Sequence, residues 1–182
     1  MVCMHRLVIM RHAKSDWTAG LADQERPLAR RGRRNATAAG EWLLAAGLEP
    51  DLALVSPARR TRQTWQLVSD QLHAEIPTDF EASIYLARWT ELLELIQRTD
   101  DGVGTLAVVG HNPGCERLAN ELASPESDQG ALRQLQLKYP TMGTSIFGVS
   151  TPWAELEVGG ARLIDFVVPR SNQSSEGLPL NR

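Results

Sequence analysis

The chain has 182 residues, 42% of them hydrophobic and 23% charged, a balance that fits one globular domain and excludes wholesale disorder. Its apolar runs, such as Leu7 to Met10 and Leu106 to Val109, fall far short of the roughly 20 residues that span a bilayer. Nineteen Lys and Arg against 22 Asp and Glu give a formal charge of −3, whereas a general nucleic-acid binder is usually basic. At this length roughly 70% of the unfolded surface can be buried, so a core suffices without disulfides or a structural metal. Cys3 and Cys115 form no CxxC and no Cys/His cluster. They read as reduced thiols of a cytoplasmic protein, with no zinc site. No basic start leads into an apolar segment and a small-residue cleavage site, so no secretory signal is expected.

Short apolar runs alternate with helical patterns, which predicts an α/β fold with a largely parallel sheet. Leu7 to Met10 reads as a first strand. A helix is expected over Leu28 to Ala46, with Ala36, Ala39, Leu43 and Ala46 on its buried face and Gly47 as its stop. Leu52 to Val55 is a second strand. Ser56-Pro57 is then expected to cap and open a helix whose buried stripe is Thr61, Trp65, Val68 and Leu72. An extended segment near Ile76 to Phe80 and a helix over Glu91 to Gln97 follow. Leu106 to Val109 is the clearest buried strand, and Asn112-Pro113 is read as a second cap-plus-proline start, for a helix running to about Leu122. Ser124 to Gly130 reads as a polar loop, and Thr144 to Val149 and Leu163 to Val168 as strands. Residues 1–170 are taken as one domain and 171–182 as a loose tail.

The residues that carry chemistry fall at strand ends. Arg11-His12 closes the first strand, Ser56 to Arg60 follows the second, and His111-Asn112-Pro113 follows the Leu106 strand. Ligands of open α/β sheets bind outside the carboxyl ends of parallel strands. Two histidines and at least two arginines should therefore share one rim with helix starts that favour an anion. A guanidinium forks onto two oxygens of a phosphoryl group, and a neutral imidazole is a competent nucleophile toward phosphorus. Nearby arginines are expected to lower the pKa of the nucleophilic histidine. The second histidine is expected to be protonated and, with the arginines, to neutralise the transferring group without a metal. His5 and His73 read as structural, and Arg59, Arg60 and Arg62 admit the plainer reading of a solvated helix face.

Arg11-His12-Ala13-Lys14-Ser15 resembles the Arg-His-Gly/Ala signature of the histidine phosphatase superfamily, and more narrowly its short phosphohistidine phosphatase branch. Arg26-Pro27-Leu28 with Arg31-Gly32-Arg33, Ser56-Pro57 with Arg60, Gln63 and Thr64, and Gly110-His111-Asn112-Pro113-Gly114 are similar to three further elements of that branch. The resemblance runs from about Leu7 to Pro169. It implies a phosphoglycerate mutase-like three-layer sandwich, with a mostly parallel central sheet and helices on both faces. It also implies that His12 becomes phosphorylated while Arg11, Arg60 and His111 clamp the phosphoryl oxygens. Arg60 is favoured because the family spaces its arginine three residues before the Gln-Thr pair, and Arg59 is the alternative. Asn112 is a phosphate-binding or helix-capping candidate, and Lys14 a residue of the substrate entrance. Larger relatives supply a carboxylate acid in the region of Asp79 to Tyr85. Glu81 is the candidate here, although Ala82 stands where the carboxylate is most expected; a strand-end surface charge is the other reading of Glu81.

Only about 40 residues separate Arg60 from Thr105, too few for the large covering segments of mutases and acid phosphatases. An open, shallow, basic site is expected. The resemblance then implies a metal-independent, cofactor-free phosphatase acting on phosphohistidine in proteins; the cysteine usage adds a cytoplasmic setting, and the charge and short apolar runs leave neither nucleic acid nor membrane as an expected partner. The alternatives are a general small-molecule or nucleotide phosphomonoesterase, and a phosphate- or phosphoprotein-binding module without turnover.

Overall fold

The computed structural model describes residues 5–17 and 20–171. Cys3 and nearly all of the expected tail, residues 172–182, lie outside the described residues. Six strands form one sheet: β1 (His5–Arg11), β2 (Leu52–Val55), β3 (Thr78–Phe80), β4 (Thr105–Gly110), β5 (Thr144–Val149) and β6 (Ala161–Val167). Their order is β3-β2-β4-β1-β5-β6. The β3-β2, β2-β4 and β4-β1 pairs are parallel, and the β1-β5 and β5-β6 pairs are antiparallel. Among the described residues, five α-helices cover the faces: α1 (Arg30–Ala45), α2 (Arg59–Ser69), α3 (Trp89–Gln97), α4 (Gly114–Leu122) and α5 (Gln129–Leu137).

The central strands β1, β2 and β4 are apolar on both sides because both sides are covered. Val8, Met10, Val55, Ala107 and Val109 join Ala36, Leu43, Trp65 and Val68 in a core beneath α1 and α2. Leu7, Ile9, Leu106 and Val108 join Leu92, Ile96, Leu118 and Leu135 in the opposite core, beneath α3, α4 and α5. Alternate residues of β1 and β4 thus anchor opposite layers, which is the expected three-layer sandwich.

Several boundaries differ from expectation for local reasons. α1 begins at Arg30 because Leu28 bridges to Ser15; it ends as expected before Gly47, whose φ of +64° suits glycine. Ser56-Pro57 does not cap α2: Ala58 holds the N-cap position with no side-chain bond, and the Ser56 hydroxyl is engaged elsewhere. Leu72 lies beyond the end of α2, half-buried. Nor does Asn112 cap α4, whose N-cap position is Pro113. Asp128 does cap α5, accepting from the Ala131 amide at 2.8 Å, so the predicted polar loop ends in a helix that the sequence pattern had not shown. His5 is buried and stacks on Trp153 at 4.8 Å between ring centroids, and exposed His73 pairs with Glu49 at 3.0 Å.

Candidate active site

The strand order puts the three chemistry-bearing junctions side by side. Arg11 pairs in register with Gly110, and Val55 with Val109. The chain beyond each strand continues the pairing: the His12 amide donates to the Gly110 carbonyl and the Ser56 amide to the Val109 carbonyl, both at 3.0 Å. Residues 12, 56 and 111 therefore leave the sheet on one rim. The rings of His12 and His111 stand 5.2 Å apart, centroid to centroid.

His12 is buried, and its Nδ1 lies 2.8 Å from the Ala13 carbonyl oxygen. A carbonyl can only accept, so Nδ1 carries the proton and the Nε2 lone pair is left for chemistry. Its pKa falls to about 3, first because burial penalises the charged ring, with smaller contributions from His111, Arg60 and Arg11. The expected neutrality holds, but desolvation rather than arginine repulsion is its main source. The loop carrying His12 is fixed from two directions. The Ala13 amide donates to Thr64 Oγ1 at 3.0 Å, and that hydroxyl donates to the Arg60 carbonyl at 2.6 Å. Gly32 of α1 packs against the loop so closely that a Cβ there would lie 2.1 Å from the Lys14 carbonyl oxygen.

His111 contacts the Arg60 guanidinium through Nδ1 at 3.3 Å and the Ser56 hydroxyl through Nε2 at 2.8 Å. Arg60 has only protons to offer, so Nδ1 accepts and Nε2–H donates to Ser56 Oγ. Burial and then Arg60 lower the His111 pKa to about 4. This corrects the expectation of a protonated second histidine: in the free site the ring is neutral.

Arg60 is buried and held by Asp23 as well as by His111. Its guanidinium donates to the Asp23 carbonyl at 2.6 Å and to Asp23 Oδ2 at 2.9 Å. The same carboxylate accepts from Tyr85 Oη at 2.7 Å and from Arg26 at 2.7 Å. These bonds, Tyr85 first and Arg60 next, hold the Asp23 pKa at about 2. Tyr85 also meets His111 edge-on, with ring centroids 5.5 Å apart. Arg11 uses one guanidinium nitrogen to donate to the Tyr139 carbonyl at 2.8 Å, while its buried Nε has no hydrogen-bond partner.

The structure thus brings Arg11, His12, Arg60 and His111 together and adds Ser56, Asp23 and Tyr85, which sequence reasoning had not placed in the site. A signal existed for Asp23, three residues before Arg26 of the recognised Arg-Pro-Leu element. Asn112 turns its amide nitrogen to Glu116 at 2.9 Å and to the Tyr139 carbonyl at 3.0 Å. It shares that carbonyl with Arg11 instead of capping a helix. Lys14 is exposed beside His12. Arg59, the alternative to Arg60, is half-buried at the start of α2. Glu81 follows β3, bonded through its amide to the Val55 carbonyl at 2.9 Å. Among the described residues, no hydrogen bond or ion pair joins its carboxylate to Arg11, His12, Arg60 or His111. The described residues contain no group of three or more His, Cys, Asp or Glu placed to hold a metal.

A buried imidazole with one free nitrogen, flanked by two arginines and a second imidazole, is a constellation that can accept a phosphoryl group. Comparisons with known proteins agree. The model of the histidine phosphatase superfamily (branch 1) matches residues 7–83. The uncharacterized protein Rv1276c of Mycobacterium tuberculosis is 42% identical over 162 residues, covering 88% of this chain and 100% of that protein. Two structures of candidate SixA phosphohistidine phosphatases superpose closely. That from Nakamurella multipartitia has a TM-score of 0.80 and 28% identity over 91% of this chain and 96% of its own. That from Agrobacterium tumefaciens has a TM-score of 0.76 and 29% identity over 91% and 98%. Fold, sequence and the gathering of the motif residues on one rim lead to the same conclusion: the chain belongs to the histidine phosphatase superfamily.

Proposed function

We propose that this chain is a phosphatase that takes a phosphoryl group onto His12 Nε2 and hydrolyses it, and that its substrate is phosphohistidine in proteins. The carrying observation is the pinned tautomer: Nδ1–H is held by the Ala13 carbonyl, so Nε2 enters the reaction as a lone pair. In the first step a bond forms between Nε2 and phosphorus while the substrate's P–N bond breaks. The departing imidazole takes its proton from solvent or from Glu81. The His12 ring becomes positive, and the Ala13 carbonyl is already aimed at the proton it retains. Water then attacks phosphorus, the P–Nε2 bond breaks, and orthophosphate leaves a neutral His12.

Arg11 and Arg60 supply the positive charge that balances the transferring group. Arg60, positioned by Asp23, turns its remaining N–H groups to the phosphoryl oxygens, and the dianion raises the His111 pKa so that Nδ1 takes a proton and donates. Lys14 is assigned to the entrance; Asn112, expected at the phosphate, instead spends its amide protons on Glu116 and the Tyr139 carbonyl and positions Arg11 through that shared carbonyl. Because arginines carry this charge, turnover is expected to persist in excess chelator. The protein substrate is supported by the short stretch between Arg60 and Thr105, which α2, β3 and α3 account for in large part and which leaves no long covering insertion. The phosphohistidine reading is supported by the weak tie of Glu81 to the site: a P–N bond makes less demand on a general acid than a phosphoester P–O bond does.

The test is phosphate release from a phosphohistidine-bearing protein with chelator present, beside a panel of sugar phosphates and nucleotides. Preference for the phosphoprotein in kcat/KM is expected. Preference above about tenfold for a small phosphomonoester would contradict the substrate assignment, and phosphate binding without turnover would contradict the activity.

A further inference from the structure

We propose that the arginines opening α1, Arg30, Arg31, Arg33 and Arg34, form a docking ridge for an acidic surface on the protein that carries the phosphorylated residue. The proposal rests on the phosphoprotein reading above. All four side chains are exposed. None forms an ion pair with a carboxylate among the described residues. Asp23, on the adjoining segment, is already held by Arg26, Arg60 and Tyr85.

Local electrostatics work against this placement. A helix N-terminus is positive and favours acidic residues, yet the first turn of α1 contains none. Arg30 and Arg34 stand at i,i+4, and Arg30–Arg33 and Arg31–Arg34 at i,i+3, so like charges face one another on the helix surface. The chain as a whole is acidic, with a formal charge of −3. A cluster that its own helix disfavours, in a chain of the opposite sign, calls for a counter-charge from outside.

The ridge is also joined to the site. Gly32, between the two arginine pairs, turns inward and rests on the Lys14 carbonyl, so close that no Cβ would fit. Lys14 is two residues from His12. Arg31 and Arg33 flank that contact and Arg30 and Arg34 face outward, so a partner seated on the ridge grips the outer side of the helix that backs the His12 loop. An acidic protein suits this layout better than a nucleic acid: the patch is confined to one helix turn, and the rest of an acidic chain would repel an extended polyanion.

The test combines Arg30→Glu with Arg34→Glu, two positions outside the phosphoryl pocket. Acidic residues suit a helix start, so the variant should fold, with a Tm equal to or above that of the parent. With a strongly acidic phosphohistidine protein the variant's kcat/KM should fall about tenfold or more, through KM. With free phosphohistidine it should stay within about twofold. Added salt should depress the parent's kcat/KM for the protein substrate and hardly affect the variant's. Equal loss on both substrates, or no loss on either, overturns the ridge. If the parent releases phosphate from neither substrate, the functional reading fails on its own. The ridge is then judged by titration of the acidic protein: binding to parent but not variant supports it, and equal binding overturns it. Duplex DNA that competes as well as the acidic protein also overturns it.

Discussion

The two ends of β1 each carry a buried histidine, and they differ in what surrounds the ring. At the start of the strand, both ring nitrogens of His5 face carbonyl oxygens, of Thr151 at 3.1 Å and Asp101 at 3.3 Å, and the ring stacks on Trp153. Just beyond the other end, His12 ties down one nitrogen and faces His111 with its ring. Burial is common to both. What distinguishes the candidate nucleophile is a nitrogen left over after the fold has taken its share, set among cations that disfavour its protonation.

The largest effects should come from exchanging the fates of these two rings. His12→Ala should reduce turnover by about 10³-fold or more while leaving the fold intact. His5→Ala should leave turnover per folded molecule nearly unchanged and cost about 2 kcal/mol of stability, read by urea denaturation. An active His12→Ala protein would break the comparison.

A smaller effect tests the cation that faces the pair. Asp23→Asn should lower kcat/KM about tenfold, because Arg60 loses the carboxylate that positions it. It should also lower the His111 pKa further, since the Asp23 charge is one of the influences raising it. Imidazole NMR titration separates this from a general loss of structure.

The smallest effect is on stability against pH. Both site histidines have folded pKa values below the ordinary histidine value of 6.5, at about 3 for His12 and about 4 for His111. Between those values and 6.5 the unfolded chain binds more protons than the folded one, so stability falls as pH falls through that window. Replacing either ring by Phe should flatten the slope of unfolding free energy against pH there; an unchanged slope in both variants would contradict the burial argument.

Much of this was legible in the sequence, for physical reasons that also mark where legibility ends. β4 and β5 show as apolar runs because they are buried on both faces, and β5 matches its expected span of Thr144 to Val149. The nine residues of α5 bury only Ala131 and Leu135, too few for a helical period to stand out. Arg11, His12, Arg60 and His111 were visible because strand-end positions and motif spacing are local properties. Ser56 was read as a helix cap because Ser-Pro is a local signal; its partner is 55 residues away on another strand end. Asp23 and Tyr85 are brought to Arg60 by connecting segments 62 residues apart, a placement no periodicity encodes. The charge state of His111 also needed its burial to be known.

The most direct measurement is a base quench, under which phosphohistidine persists, of the reacting protein with radiolabelled phosphohistidine substrate, followed by mapping of the labelled residue. The account predicts an acid-labile label on His12, located at Nε2, that is absent from His12→Ala. Label on a different residue, or steady phosphate release with no labelled protein at any quench time and no loss in His12→Ala, would contradict it.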